Sequence, residues 1–163
     1  MIPKRINALR NVMQNENIKA YIIPSIDAHQ SEYVPALWQR RPWISGFTGS
    51  AGDVVITSEK GGLWTDGRYY AQATEQLAGT GIDLFKAADK GTPTISDFLQ
   101  NELGSGDKVG VDPKTFSYDQ MQSLKKDLTQ AGLELCFTKE NLVDAVWEDQ
   151  PGLPDNPIKV HTL

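Results

Sequence analysis

The chain has 163 residues, 39% hydrophobic and 23% charged, with a formal net charge of −5. That is enough apolar material for one folded domain, and the acidic balance argues against a nucleic-acid surface, which needs clustered Lys and Arg. A single cysteine, Cys136, excludes an internal disulfide, and no apolar run approaches the roughly 20 residues that span a bilayer.

In chain order, Ile2 to Asn15 places Ile6, Leu9, Val12 and Met13 on one face, the pattern of an amphipathic helix. It has no signal-peptide core, which points to a cytoplasmic protein. "AYIIP", 20–24, predicts a short buried strand ended by proline. The stretch from Ser25 to Trp43 lacks clean periodicity and reads as a structured loop with a helical turn near Ser31 to Trp38. "DVVIT", 53–57, and "GLWTD", 62–66, predict a β-hairpin. A helix is predicted over 68–77, then a strand in "GIDLFKA". "TPTISDFLQNEL" predicts a helix with a hydroxyl cap and Pro93 at an early position. "KVGVD" reads as a strand. Ser117 caps a helix that Gly132 stops. "LELCFT" reads as a strand and "ENLVDAVWE" as a short helix. This alternation predicts an α/β domain, a mixed sheet with helices on both faces. Residues 1–148 form the domain in this reading. Residues 149–163 are a linker, with three prolines in nine positions, leading into the start of another strand in "IKVHTL".

The stretch "SGFTGSAG", 45–52, is the first place to look for chemistry. It fails the phosphate-loop patterns, because no lysine follows and the next element is a strand. It also fails the nucleophile elbow, which lies between a strand and a helix. Ser50 with His29 could still be imagined as a serine hydrolase, or the loop as a ligand-binding regulatory module. The plainer reading is a hydroxyl satisfying turn amides, with glycines permitting a crowded turn into the hairpin. Asp27, His29 and Glu32 form a local cluster, read either as a turn or as ligands. Asp66 and Arg68 straddle Gly67, and either fix a helix start or offer the arginine to a carboxylate. Trp38 and Trp43 lie beside Arg40 and Arg41. The two arginines look ordinary for a soluble surface, and aromatic plus arginine on a loop is the composition of an interface anchor, with packing within the loop as the equal alternative.

The segments "AYIIPSIDAHQSEYVP", "RRPWISGFTGSAGDVVIT", "GLWTDGRYYAQA", "VGVDP" and "KENLVDAVWEDQPGLP", in this order, resemble the amino-terminal domain of the three-domain cytosolic Xaa-Pro aminopeptidases of the creatinase/prolidase superfamily. The resemblance runs over nearly the whole chain. It implies a creatinase-type amino-terminal fold, a mixed sheet of about six strands flanked by helices. It implies a parent enzyme that releases the first residue from peptides with proline second, using two divalent ions, usually manganese, to activate water. The family's metal ligands belong to a carboxy-terminal domain whose motifs are not in this sequence. The expectation is therefore a non-catalytic domain with no catalytic residue, no metal ligand and no cofactor of its own. It would pack on the remaining domains of its chain, frame the entrance to the active site, and contribute to a homodimer. His29, Trp38, Arg40, Arg41 and Arg68 are the interface or entrance candidates.

Overall fold

A computed structural model describes residues 2–157 and 159–160. The elements run α1 (Ile2–Asn15), β1 (Ala20–Ile23), α2 (Arg40–Ser45), β2 (Asp53–Thr57), β3 (Gly61–Thr65), α3 (Tyr70–Gln76), β4 (Asp83–Lys86), α4 (Ile95–Glu102), β5 (Lys108–Val111), α5 (Tyr118–Gln130) and β6 (Glu134–Phe137). The strands form one six-stranded sheet in the order β4-β3-β2-β1-β5-β6. β2 is antiparallel to both its neighbours, and every other pairing is parallel. Five strands therefore point the same way and share one carboxy-terminal edge. The mixed sheet with helices on both faces is the architecture that the sequence predicts.

Alternation along the strands sorts the core into two layers. Tyr21, Ile23, Val54, Ile56 and Leu63 face α1 and α3, where Ile6, Leu9, Met13 and Ala73 are buried against them. Ala20, Ile22, Val55, Trp64, Val109 and Val111 face the other way, onto Phe98 and Leu99 of α4 and Leu128 of α5. Each buried Val, Leu, Ile, Phe or Met among them contributes about 2 kcal/mol. Trp64 stacks on Phe85 at 4.2 Å between centroids. Gly62 makes room for that stack, since a Cβ there would lie 2.6 Å from the Trp64 ring.

Helix starts follow the sequence closely. Thr94 Oγ1 accepts from Asp97 N and the Asp97 carboxylate accepts from Thr94 N; Ser117 and Gln120 repeat this reciprocal cap on α5. Four expectations need correction. Pro93 lies outside α4, because Thr94 is the cap. The helix expected over 68–77 is a 3-10 turn, Gly67–Tyr69, followed by α3. The short helix expected in 140–148 is only a 3-10 turn at Asp144–Val146, because Asn141 Oδ1 accepts from Val143 N and holds the approach as a turn. The helical turn expected near Ser31 to Trp38 is narrower, Ala36–Trp38, and a helix not predicted, α2, follows it. Residues 151–157 have no regular structure and are mostly exposed. The strand expected over 158–163, with His161, lies outside the described residues apart from 159–160, which are not in a strand.

Candidate functional site at the carboxy-terminal edge of the sheet

Every residue singled out from the sequence lies in the loops that leave or enter this one edge. The connection from β1 to β2 carries His29, Trp38, Arg40, Arg41 and the loop 45–52. The turn after β3 carries Asp66 and Arg68. Crevices outside the carboxy ends of parallel strands are the usual ligand sites of open α/β sheets.

The arginines are the main correction. Arg40 and Arg41 are 6% and 3% exposed, not a surface pair. Pro42 sits in the first turn of α2, where its missing N–H breaks no helical hydrogen bond, and this short helix carries both arginines inward. Arg40 Nε and Nη2 donate to Asp144 Oδ1 and Oδ2 at 2.6 and 2.7 Å, a bidentate pair. Its guanidinium lies 4.4 Å over the Trp38 ring. Arg41 Nη2 donates to the Gly49 carbonyl and Nη1 to the Gly52 carbonyl at 3.4 Å, and the guanidinium sits over Phe47 at 4.9 Å. Burial pulls Arg41 down to about 10, while the charge of Asp53 acts against that. Asp53 is half-buried; burial pushes its carboxyl up, opposed by Arg41 and by the Ser25 amide.

Arg41 thus pins the loop 45–52 from within. Gly46 closes α2 in the left-handed region at φ 78°. Ser45 Oγ donates to the Arg41 carbonyl at 2.7 Å and accepts from Phe47 N at 3.1 Å. Thr48 N donates to Gln76 Oε1 at 2.9 Å, and the side-chain amides of Gln72 and Gln76 donate to Thr48 Oγ1. A Cβ at Gly49 would fall 2.3 Å from Phe47 and 2.8 Å from Tyr69. A Cβ at Gly52, with φ +139°, would lie 2.7 Å from the Trp64 carbonyl oxygen. The glycines are there for crowding, as the sequence suggests.

Ser50 Oγ hydrogen-bonds the Tyr69 hydroxyl at 2.6 Å, and that bond leads the causes that hold the phenol below its ordinary range. Among the described residues no histidine shares a hydrogen bond with Ser50. His29 is exposed, and its backbone N–H donates to Asp27 Oδ1 at 2.9 Å. Asp27 is 1% exposed and also accepts from Ser31 N at 3.0 Å. Burial raises this carboxyl, yet the amides of Ser31 and His29 outweigh it and leave the group below its usual range. Asp27 is therefore the anchor of a turn. Among the described residues the hydrolase reading has no base, and the loop amides at Phe47 and Thr48 are already occupied by side chains of this chain. Arg68 and Asp66 form an exposed ion pair, Nε to Oδ1 at 2.9 Å and Nη2 to Oδ2 at 2.8 Å. Hydrogen bonding to Arg68 lowers the Asp66 carboxyl.

A cavity of about 240 Å³ opens at this edge, with Glu32, Tyr33, Trp38, Thr48 and Ser50 on its walls. Tyr33 beside it is 84% exposed. Sequence reasoning missed Asp144 and Gln150 at this edge. Gln150 Nε2 donates to the Leu37 carbonyl at 3.0 Å and to Asp144 Oδ1 at 2.7 Å. A carboxylate and an amide more than a hundred positions from their partners leave no local signal. Among the described residues no three His, Cys, Asp or Glu side chains converge to hold a metal ion, and no helix is long and apolar enough to cross a membrane.

The chain is similar over its whole length to aminopeptidase P2 of Arabidopsis thaliana, at 42% identity, and covers 23% of that protein. It spans about a quarter of the length of the curated relatives it matches. Among solved structures, an X-prolyl aminopeptidase from Caenorhabditis elegans, described as a cytosolic enzyme with a di-nuclear active site, superposes with a TM-score of 0.88 at 36% identity. That match covers 94% of this chain and 26% of the other. The amino-terminal domain of the cytoplasmic peptidase PepQ from Mycobacterium tuberculosis shares the fold, with a TM-score of 0.63 at 20% identity, over 88% of this chain and 98% of the other. The Creatinase/Prolidase N-terminal domain model matches residues 5–145, and the chain belongs to that family.

Proposed function

We propose that this chain is the non-catalytic amino-terminal domain of a metal-dependent Xaa-Pro aminopeptidase, which releases the first residue from peptides with proline second. The observation that carries the reading is a mismatch of scale. The chain aligns in full with about a quarter of an aminopeptidase P. Among its described residues no cluster fits a pair of divalent cations. In the parent, two such ions, manganese in this reading, would activate the attacking water. No residue here is assigned to hold them. Residues 1–148 are the domain in this proposal, and 149–163 the linker toward the next one.

The domain's task in this proposal is to dock, through the carboxy-terminal edge, on the remaining domains of its chain in a cytoplasmic enzyme, at the approach to the active site. His29, Trp38 and Arg68 are the surface groups offered there. Arg40 and Arg41 act from beneath as positioning residues that fix the loops. A homodimer of the parent is part of the same reading.

The test compares Xaa-Pro peptide cleavage by this 163-residue chain and by the full-length parent, both supplied with manganese. Turnover is expected only with the parent. Turnover by the chain itself overturns the proposal.

A further inference from the structure

The face of the sheet under α4 and α5 is not closed. Both helices begin at the carboxy-terminal edge and run back along the strands, and a groove of about 640 Å³ opens between them. Ile95 of α4, Leu124 of α5 and Phe116, just before α5, line it and are half-buried. Its deep end reaches the central strands at Ile22 and Asp53. Strand alternation explains why Asp53 is there. Val55 packs on the α4/α5 layer, so Asp53, two residues earlier, faces the same side.

The groove carries one sign of charge. Asp53, Asp97 and Asp127 line it, and no lysine, arginine or histidine does. Asp97 is engaged by the Thr94 cap, and Asp127 is exposed on α5. The volume lies in the range of ligand sites, and the form, an apolar trough between two helices, suits a peptide with an apolar stripe.

We propose that this groove is a docking site for a basic amphipathic peptide segment. Its apolar side chains lie between Ile95, Phe116 and Leu124, and its lysine or arginine reaches Asp53, with Asp127 meeting a second cation at the rim. Charge complementarity selects this occupant. Asp53 already faces Arg41 and accepts from the Ser25 amide, so the occupants differ in what they meet on the walls: an acidic segment meets Asp53, Asp97 and Asp127 with no cation lining the groove, and a basic one pairs with them. The proposal goes beyond the peptidase reading and does not depend on it.

The probe is the capped hexapeptide Leu-Lys-Leu-Leu-Arg-Leu, titrated into the ¹⁵N-labelled 163-residue chain. Amide shifts are expected in α4 and α5. Replacing the basic residues of the peptide by Glu, or its leucines by Ser, is expected to weaken binding about ten-fold. Asp53→Asn is expected to weaken it about five-fold, and Asp127→Lys, an exposed change that leaves the fold intact, about three-fold. Equal binding of the Glu peptide overturns the proposal, as do shifts confined to other elements. So does a groove that takes phenethylamine but no peptide, or self-association of the chain through α4 and α5.

Discussion

The two edges of the sheet are built on different principles. At the amino-terminal edge the connections are short, and residues with positive φ turn the chain: Asn17, Gly79, Gly81, Gly106 and Gly132. At Gly79, Gly81 and Gly106 a Cβ would meet nothing within 4 Å. At the carboxy-terminal edge the connections are long and contain buried charge: Asp27, Arg40, Arg41 and Asp112. The buried donors without a hydrogen-bond partner among the described residues, Arg40 Nη1, Arg41 Nε and Trp43 Nε1, are all here. An orphaned buried donor costs about 1–3 kcal/mol, and departures from full satisfaction collect where a fold serves a purpose besides folding. The first edge needs only to turn; the second holds loops in a defined shape.

The sharpest way to break this contrast is one substitution made at both edges. Gly52→Ala forces a Cβ onto the Trp64 carbonyl and should cost about 3 kcal/mol in urea unfolding. Gly106→Ala, at φ +83° with open space around it, should cost only about 1 kcal/mol. Equal losses would show that crowding is not what distinguishes the edges. Next in size, Arg41→Met removes the donors to the Gly49 and Gly52 carbonyls and should cost about 2 kcal/mol. The exposed Arg68→Met should leave the unfolding midpoint where it is.

Smaller than the Arg41 loss is that of Tyr21, whose hydroxyl accepts from Leu142 N at 3.2 Å and meets Thr138 Oγ1 at 3.4 Å. Tyr21→Phe should cost about 1 kcal/mol at pH 7. Burial pushes this phenol up to about 12, from 10.0 for a free tyrosine. A group whose folded value is raised stabilises fully below its unfolded value and loses that contribution as pH rises through the folded one. The advantage of the wild type over Tyr21→Phe should therefore shrink between pH 10 and pH 12. A margin that stays constant across that window would mean the phenol is not buried as a neutral group.

The sheet and its caps were legible in the sequence because they depend on local rules. Short apolar runs such as "AYII" predicted the strands, and Ser117 predicted a helix start. α2 was not legible: "RRPWIS" has no periodicity, and its helix is held by contacts from other elements, such as Arg5 Nη1 donating to the Trp43 carbonyl at 2.7 Å. The burial of Arg41 was hidden for a related reason. Its partners are backbone carbonyls, which every residue carries and no sequence pattern marks. The candidate site was legible as a set of residues and illegible as an arrangement. Arg40 read as a surface residue until Asp144, far along the chain, supplied its partner.

Gln150 gives the carboxy-terminal edge one further property. Its single amide grips both the Leu37 carbonyl and the carboxylate that already holds Arg40. The strap that begins at Pro151 therefore leaves without slack, its heading set by the Trp38 loop. A displacement of that strap therefore meets the Arg40–Asp144 pair before it meets the sheet.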